Sequence, residues 1–331
     1  WLDANSIDID FGQLTAQKLK RGVGNTGPSA LETLENGHMI RVVGNPNIAT
    51  LTNIMVGVKN PVSLADPSEK CVEVWINELR LTDFDQKGGW AANSRVTAKL
   101  ADFGQLALSG AVSTPFYGSI EKKPSERSRE LTEQYDASTT LQMGKFLPKE
   151  WKINIPMYLN YAEQFIIPQY DPSNPDVLMS DVNENNNFNP DQIDLIKNRA
   201  IDYTRRRGMN FTNVSKQRGK TKTKTHFWDI ENFAATYAFN EQYKRNISTA
   251  WSFNRQYNAS LNYNFSKQVK SIEPFKNSKA KILQSKWLAL VKDLNFTPMP
   301  NQFNFSTNVQ RNYIEVRNRD ITALPGYDFT R

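Results

Sequence analysis

An alternation of aromatic and polar residues between Phe233 and Phe265 constrains the fold of this chain more than any other feature. The odd positions of this stretch are mostly Phe, Tyr, Trp, Ile or Leu, and the even positions are mostly Asn, Ser and Gln. A period of two puts all the aromatic side chains on one face of a β-strand, whereas a helix would scatter them around its circumference. The sequence therefore predicts strands with one aromatic face and one amide-rich face.

The same alternation recurs at 135–143, 153–161 and 303–313, and the runs 96–100 and 106–110 predict a hairpin. Segments of about ten residues are long enough for a tilted strand to cross the hydrocarbon layer of a bilayer. Aromatic residues near strand ends and an amide-rich opposite face favour a transmembrane β-barrel with a water-filled interior. A soluble sandwich would more often carry Lys and Glu on its polar face.

We therefore expect an all-β fold, made of antiparallel strands of a transmembrane β-barrel. The aromatic side would face lipid, with Phe233, Tyr237, Phe239, Tyr243, Trp251, Phe253, Leu261, Tyr263, Phe265, Phe303 and Phe305. The amide side would face the lumen, with Asn240, Ser252, Asn254, Asn258, Ser260, Asn262, Asn304, Ser306 and Asn308.

The first part of the chain has a different pattern. Short β-branched runs at 7–11, 39–43, 51–58 and 72–81 are separated by Gly, Pro and Asn. Runs of this kind predict the short strands of a small β-sandwich. We assign this inserted domain to residues 1–85 and the barrel strands to 86–331.

Two segments interrupt the predicted barrel strands. The first is a long loop at about 165–227, in which Asn189 and Pro190 precede a predicted short helix at 191–200. The second is a predicted helix at about 278–294, which has apolar residues on one side and lysines largely off it. This helix would lie in the membrane interface or pack against the mouth of the barrel.

The net charge of +7 is concentrated in basic runs at 204–207 and 216–225. Such runs fit nucleic-acid binding, a solvated loop or contacts with anionic lipid headgroups. Because no predicted helix or aromatic stacking platform lies beside them, we expect no nucleic-acid partner. The chain also begins at Trp1 without a signal peptide, and we expect it to be an internal segment of a longer protein.

No residue pattern predicts catalysis, a cofactor or a metal site. The chain has one cysteine, Cys71, and two histidines, His38 and His226, and neither histidine has a catalytic or metal-binding context. A calcium-loop-like stretch at 181–192 lacks the glycine and the final glutamate that such loops require. We expect that the protein is not an enzyme. No apolar run is long enough for a membrane-spanning helix.

Several turn and loop motifs resemble the SprA/Sov family, the outer-membrane translocons of the type IX secretion system. They include Trp75–Leu81, Asp85–Ala92 and Leu100–Gly104, and they continue through Pro168–Pro172 to Asn308–Tyr313. The similar motifs keep their order and span nearly the whole chain. The resemblance implies that the transmembrane β-barrel is very large. It also implies that the chain is a fragment of an outer-membrane channel that exports folded proteins from the periplasm, linked to secretion and gliding motility.

The resemblance also implies partners: exported cargo proteins, a lipid-attached shuttle barrel (PorV-like), a periplasmic plug protein and outer-membrane lipids. The residues by themselves leave two other functions open. One is an outer-membrane β-barrel for solute uptake, and the other is a soluble β-sandwich adhesin at the cell surface.

Overall fold

The computed structural model describes residues 7–20, 27–34, 37–59, 68–85, 87–123, 126–184, 189–219, 225–267, 271–275, 293–297, 299–319 and 328–330. The helices are α1 (Phe11–Lys20), α2 (Met179–Glu184) and α3 (Pro190–Ala200). The first strands are β1 (Glu32–Thr33), β2 (Met39–Ile40), β3 (Ala91–Leu100), β4 (Gly104–Ser113), β5 (Glu130–Gln142), β6 (Ile153–Asn154) and β7 (Pro156–Pro168). The others are β8 (Tyr170–Asp171), β9 (Asn174–Leu178), β10 (Asp202–Lys216), β11 (Phe233–Arg245), β12 (Thr249–Ser266), β13 (Gln302–Arg319) and β14 (Asp328–Thr330).

Ten of these strands form one antiparallel sheet, the main sheet. Its order is β14-β13-β12-β11-β10-β7-β5-β4-β3, and β6 also pairs with β10. The prediction of an all-β, antiparallel fold is therefore confirmed. The described residues form an open sheet, not a closed barrel, because within them β3 and β14 each have a strand on one side only. Over the same residues, no helix has the length and hydrophobicity needed to cross a membrane.

The predicted alternating segments lie in long strands. The hairpin predicted at 96–110 is the β3–β4 hairpin, and the run from Phe233 to Phe265 forms β11 and β12 around a short turn. Period-two patterning thus identified these strands from local sequence alone.

At the β3–β4 turn, Lys145 forms an ion pair with Asp102 and holds the pKa of that carboxyl below its usual range through a hydrogen bond and its charge.

The loop predicted at about 165–227 is wrong in part, because it contains the 15-residue strand β10. The charges of its run Thr204–Arg207 hide the alternation of this strand in the sequence. In the structure, Arg205 and Arg207 lie opposite residues of β7 and β11 that include Glu163 and Glu241. The arginines are tolerated in the sheet because neighbouring strands supply carboxylates.

The helix predicted at 191–200 is confirmed as α3. Asn189 accepts a hydrogen bond from the backbone N–H of Gln192, whose side chain accepts one from the backbone N–H of Asn189. This reciprocal cap, with Pro190 in the first turn, explains why the helix begins where it does. The second predicted helix, at about 278–294, lies almost entirely outside the described residues.

The strands predicted for a sandwich at 1–85 are mostly wrong. Residues 7–10 of the predicted run 7–11 form no strand, and its last residue begins α1. Only β1 and β2 pair in the described residues of this region. The runs 51–58 and 72–81 form no hydrogen-bonded strand there, and their side chains are exposed. An alternating run becomes a strand only where another strand is available to pair with it. The domain boundary at residue 85 stays a prediction.

A buried ion pair joins the first part of the chain to the β8–β9 hairpin. The ammonium group of Lys18 on α1 lies 2.9 Å from Oδ1 of Asp176, and the two side chains are only 8% and 5% exposed. The backbone N–H of Ile48 donates to the other carboxylate oxygen at 3.2 Å, and Lys18 also donates to the carbonyl of Pro46. Asp176 therefore holds two separate parts of the N-terminal region against one hairpin.

Replacing Asp176 with alanine is expected to release α1 from the hairpin, because Lys18 would be left as a buried charge without its carboxylate. We expect amide hydrogen exchange in α1 to rise at least about tenfold, while exchange in the main sheet stays unchanged. The matched control is Asp191→Ala, which removes an exposed acid in the first turn of α3. Equal exchange in the two variants would contradict a docking role for Asp176.

Two glycines of β4 give a test of strand packing. A Cβ atom at Gly104 would lie 2.2 Å from the backbone oxygen of Thr140 on β5, whereas one at Gly110 would meet nothing closer than 3.8 Å. Gly104→Ala is therefore expected to destabilise the fold by about 1–3 kcal/mol. Gly110→Ala, on the same strand and face, should change stability by less than about 0.5 kcal/mol. Urea unfolding measures both, and similar midpoints would contradict the close approach.

Candidate functional site

The main sheet has two faces of different chemistry. Strand register places all eleven residues that the sequence predicted to face lipid on one face, here called the aromatic face. It places the nine residues predicted to line the lumen on the opposite face, here called the amide face. Which of these faces meets lipid stays a prediction.

The aromatic face continues across strands that the sequence analysis did not assign to it. The pairing of opposed residues shows which side chains of the next strands lie on this face. Mostly apolar side chains are added to it by β10, β7, β5, β4 and β3. These added residues include Val96, Leu106, Leu108, Leu141, Met157, Leu159, Met209 and Phe211. They could not be assigned to this face from their own segments, because the loops between the strands break the alternation.

A line of charged residues crosses the aromatic face obliquely. The line, called the charged line below, consists of Glu133, Glu163, Arg205, Arg207, Glu241, Arg255 and Arg311. On β11, β12 and β13 the same face carries no charged residue between this line and the strand ends at Phe233, Phe265 and Phe303. The charged line is therefore one boundary of an apolar band.

The slope of the charged line follows from the register. Glu133 of β5 lies opposite Phe165, Glu163 opposite Arg205, and Arg311 of β13 opposite Tyr257. Neighbouring rows of opposed residues on the aromatic face are two residues apart along each strand. From β5 to β13 the line moves by three such rows, or about 20 Å along the strands, while it crosses five strand spacings, or about 24 Å. The strands are thus inclined by about 40° to the normal of the line, within the 35–45° tilt typical of transmembrane barrels.

The width of the apolar band can be estimated on β12. Ten residue steps separate Arg255 from Phe265, and they correspond to about 33 Å along the strand. At a tilt of about 40°, the band is about 25 Å wide perpendicular to the charged line, which equals the usual apolar band of an outer-membrane barrel.

Glu241 is the most enclosed member of the charged line, with a side chain only 1% exposed. Arg207 binds both of its carboxylate oxygens, through Nε at 2.8 Å and a terminal nitrogen at 3.1 Å. Nε of Arg255 lies 2.7 Å away, and a terminal nitrogen of Arg205 lies 3.4 Å away. One buried carboxylate on β11 thus connects arginines from both neighbouring strands.

Aromatic side chains cluster on both sides of the apolar band. Near the charged line, the ring of Tyr243 lies 5.8 Å from that of Tyr203 and 4.9 Å from that of Phe253. At the other edge, the buried Tyr263 lies 5.0 Å from Phe233 and donates a hydrogen bond to the backbone carbonyl of Phe227 at 2.8 Å. Two aromatic groups separated by apolar residues are typical of interfacial girdles.

The amide face is polar and carries few charges. Asn258 lies opposite Gln310, and Asn262 lies opposite Ser306, so that amides and hydroxyls form rows across β12 and β13. In the middle of the sheet, the side-chain oxygens of Asn160 and Asn240 close over Gly208, where an added Cβ would lie within 2.6 Å of both. These groups offer many hydrogen-bonding atoms to water and little apolar surface.

No other group of chemically active side chains stands out in the described residues. Cys71 is exposed, and no set of three or more His, Cys, Asp or Glu residues is placed there so that it could hold a metal ion. The residues that sequence reasoning missed are the charged line, above all Glu163, Glu241 and Arg255. Their own segments carried a weak signal, namely single charges that interrupt aromatic positions.

These features define an all-β protein built on one long antiparallel sheet with an apolar band on one face and amides on the other. The chain belongs to the SprA family, because the family SprA_N, described as motility related/secretion protein, matches residues 1–183, more than half of the chain. The resemblance found in the sequence motifs is thereby confirmed, and the protein is related to motility and secretion. A search of the curated proteins found no match.

Proposed function

We propose that the main sheet is part of the wall of an outer-membrane channel that exports folded proteins from the periplasm to the cell surface. The observation that carries this proposal is the oblique charged line. A line inclined by about 40° to the sheet's rows, bounding an apolar band about 25 Å wide, has the slope and width that the edge of a bilayer requires. The apolar core of a soluble sandwich has no need of a straight charged boundary.

Two further observations support export over solute uptake. The family is one of motility-related and secretion proteins. The amide face is also suited to large and varied cargo, because a wetted, weakly charged surface presents little apolar area on which a folded protein would be retained. In this proposal the partners are the exported proteins, a lipid-attached shuttle barrel, a periplasmic plug protein and outer-membrane lipids. Strands outside this chain would complete the barrel beyond the open edges at β3 and β14.

The proposal is tested by deleting the whole gene and comparing the proteins of the medium and the periplasm. We expect a defined set of proteins to disappear from the medium and to accumulate, folded, in the periplasm. An unchanged set of secreted proteins with a loss of solute uptake would favour a channel for small molecules. An unchanged set with a loss of surface attachment, and a protein that is soluble without detergent, would favour an adhesin.

A further inference from the structure

The three arginines around Glu241 form a basic site of their own. This arginine cluster consists of Arg205, Arg207 and Arg255, whose side chains remain 29%, 48% and 33% exposed while the carboxylate is enclosed. Three guanidinium groups carry about fifteen N–H donors, whereas one carboxylate offers about four lone pairs. Nε of Arg205 is buried and has no hydrogen-bond partner within the part of the chain that the structure describes. The cluster therefore has donors to spare for a second anion.

The neighbouring charges leave the site positive. Glu163, which lies opposite Arg205, already accepts hydrogen bonds from the hydroxyls of Tyr203 and Tyr161 at 2.5 and 2.7 Å. Glu315 accepts one from the hydroxyl of Tyr313 at 2.6 Å. Two positive charges are in excess at this end of the aromatic face, where six arginines accompany four carboxylates. The arginines are Arg205, Arg207, Arg245, Arg255, Arg311 and Arg317, and the carboxylates are Glu133, Glu163, Glu241 and Glu315.

Aromatic rings hold the guanidinium groups in place. The guanidinium carbon of Arg205 lies 5.3 Å from the ring centre of Tyr243, and that of Arg255 lies 4.8 Å from the ring centre of Phe253. Stacking of this kind restricts the arginines without using their N–H donors. Directly beside the cluster, Met209 and Tyr257 begin the apolar band.

We propose that the arginine cluster binds the phosphate of an anionic membrane lipid whose acyl chains lie along the apolar band. This inference rests on the proposed function, since it requires the aromatic face to meet lipid. Arginine forks match phosphate oxygens, and their spare donors lie at the edge of a surface suited to hydrocarbon. A free phosphate ion would use only the first of these features, and a phospholipid would use both.

The test uses the whole protein in vesicles that contain a photoreactive phosphatidylglycerol, with cross-links mapped to peptides of β10, β11 and β12. Arg207→Gln is expected to lower this cross-linking about fivefold, the effect of removing one basic side chain near an anionic lipid. Arg207→Lys should retain most of it. The matched control is Arg206→Gln, which removes the same charge from the next residue of the strand, on the amide face. It should leave cross-linking unchanged.

Each outcome has a distinct meaning. The lipid site is supported if cross-linking falls in Arg207→Gln but not in Arg206→Gln, and if millimolar inorganic phosphate does not lower it. If millimolar inorganic phosphate lowers the cross-linking as much as Arg207→Gln does, the site binds a free anion and the lipid site is overturned. A photoreactive phosphatidylcholine serves as the comparison lipid. If it cross-links as well as phosphatidylglycerol, and Arg207→Gln has no effect, the lipid site is overturned, but the proposal that the aromatic face meets lipid is retained. Absence of cross-links from either lipid to these strands contradicts the membrane assignment itself.

Discussion

Replacing Asn254, Asn258 and Asn262 together with leucine is expected to slow protein export several-fold, while the amount of assembled protein stays close to that of the unchanged protein. The three residues lie on the amide face of β12, with Asn258 and Asn262 exposed. Leucines there would enlarge a small apolar area that is now formed by Ala234, Ala238, Ile314 and Val316. Exposed apolar patches retain other proteins, so cargo would leave the channel more slowly.

The rate of export is measured by pulse labelling and by the ratio of cargo in the medium to cargo in the periplasm. The matched control is the triple serine variant, which changes the same three positions but keeps them polar. It should export at nearly the original rate. Unchanged export in the leucine variant, or equal slowing in the serine variant, would count against an amide-lined path for cargo.

Glu241→Ala is expected to destabilise the main sheet by about 2–3 kcal/mol. Removal of this enclosed carboxylate leaves Arg205, Arg207 and Arg255 facing one another across three adjacent strands without their shared anion. Breaking a fully buried ion pair costs about 3–5 kcal/mol, and the partial exposure of the arginines lowers this cost through solvent screening.

The effect of Glu241→Ala is measured as a lower denaturant midpoint and a lower temperature at which the assembled protein becomes sensitive to protease. Glu315→Ala is the matched control, because it also removes a carboxylate from the aromatic face but costs a single hydrogen bond from Tyr313. We expect a change of about 1 kcal/mol or less in that variant. If the two variants lose equal stability, Glu241 does not hold the three arginines together.

Strands β11, β12 and β13 of the main sheet could be predicted because the direction of a side chain along a strand is a local property. Successive residues of β11, β12 and β13 point to opposite faces, so the residues from Phe233 to Phe265 could be assigned to a face without knowledge of any partner strand. The cap of α3 was equally local, since Asn189 and Gln192 are three residues apart. Both features depend on atoms that are close along the chain.

Strand β10 and most of the short N-terminal strands were predicted incorrectly for the opposite reason. Arg205 and Arg207 can lie in a sheet because carboxylates arrive from β7 and β11, which are distant in sequence. The β-branched run at 72–81 has a typical strand composition, yet the described residues contain no partner strand for it. In both cases the deciding factor was a neighbour that composition does not reveal.

The sequence by itself determined which residues share a face within each alternating segment, because covalent geometry sends successive side chains to opposite sides. Only the tertiary structure decided which residues of different strands lie beside one another. That choice depends on register, and register arises from the pairing of whole strands and the loops that join them. The charged line, the enclosed Glu241 and the arginine cluster exist only at that level, since each is assembled from residues of several strands.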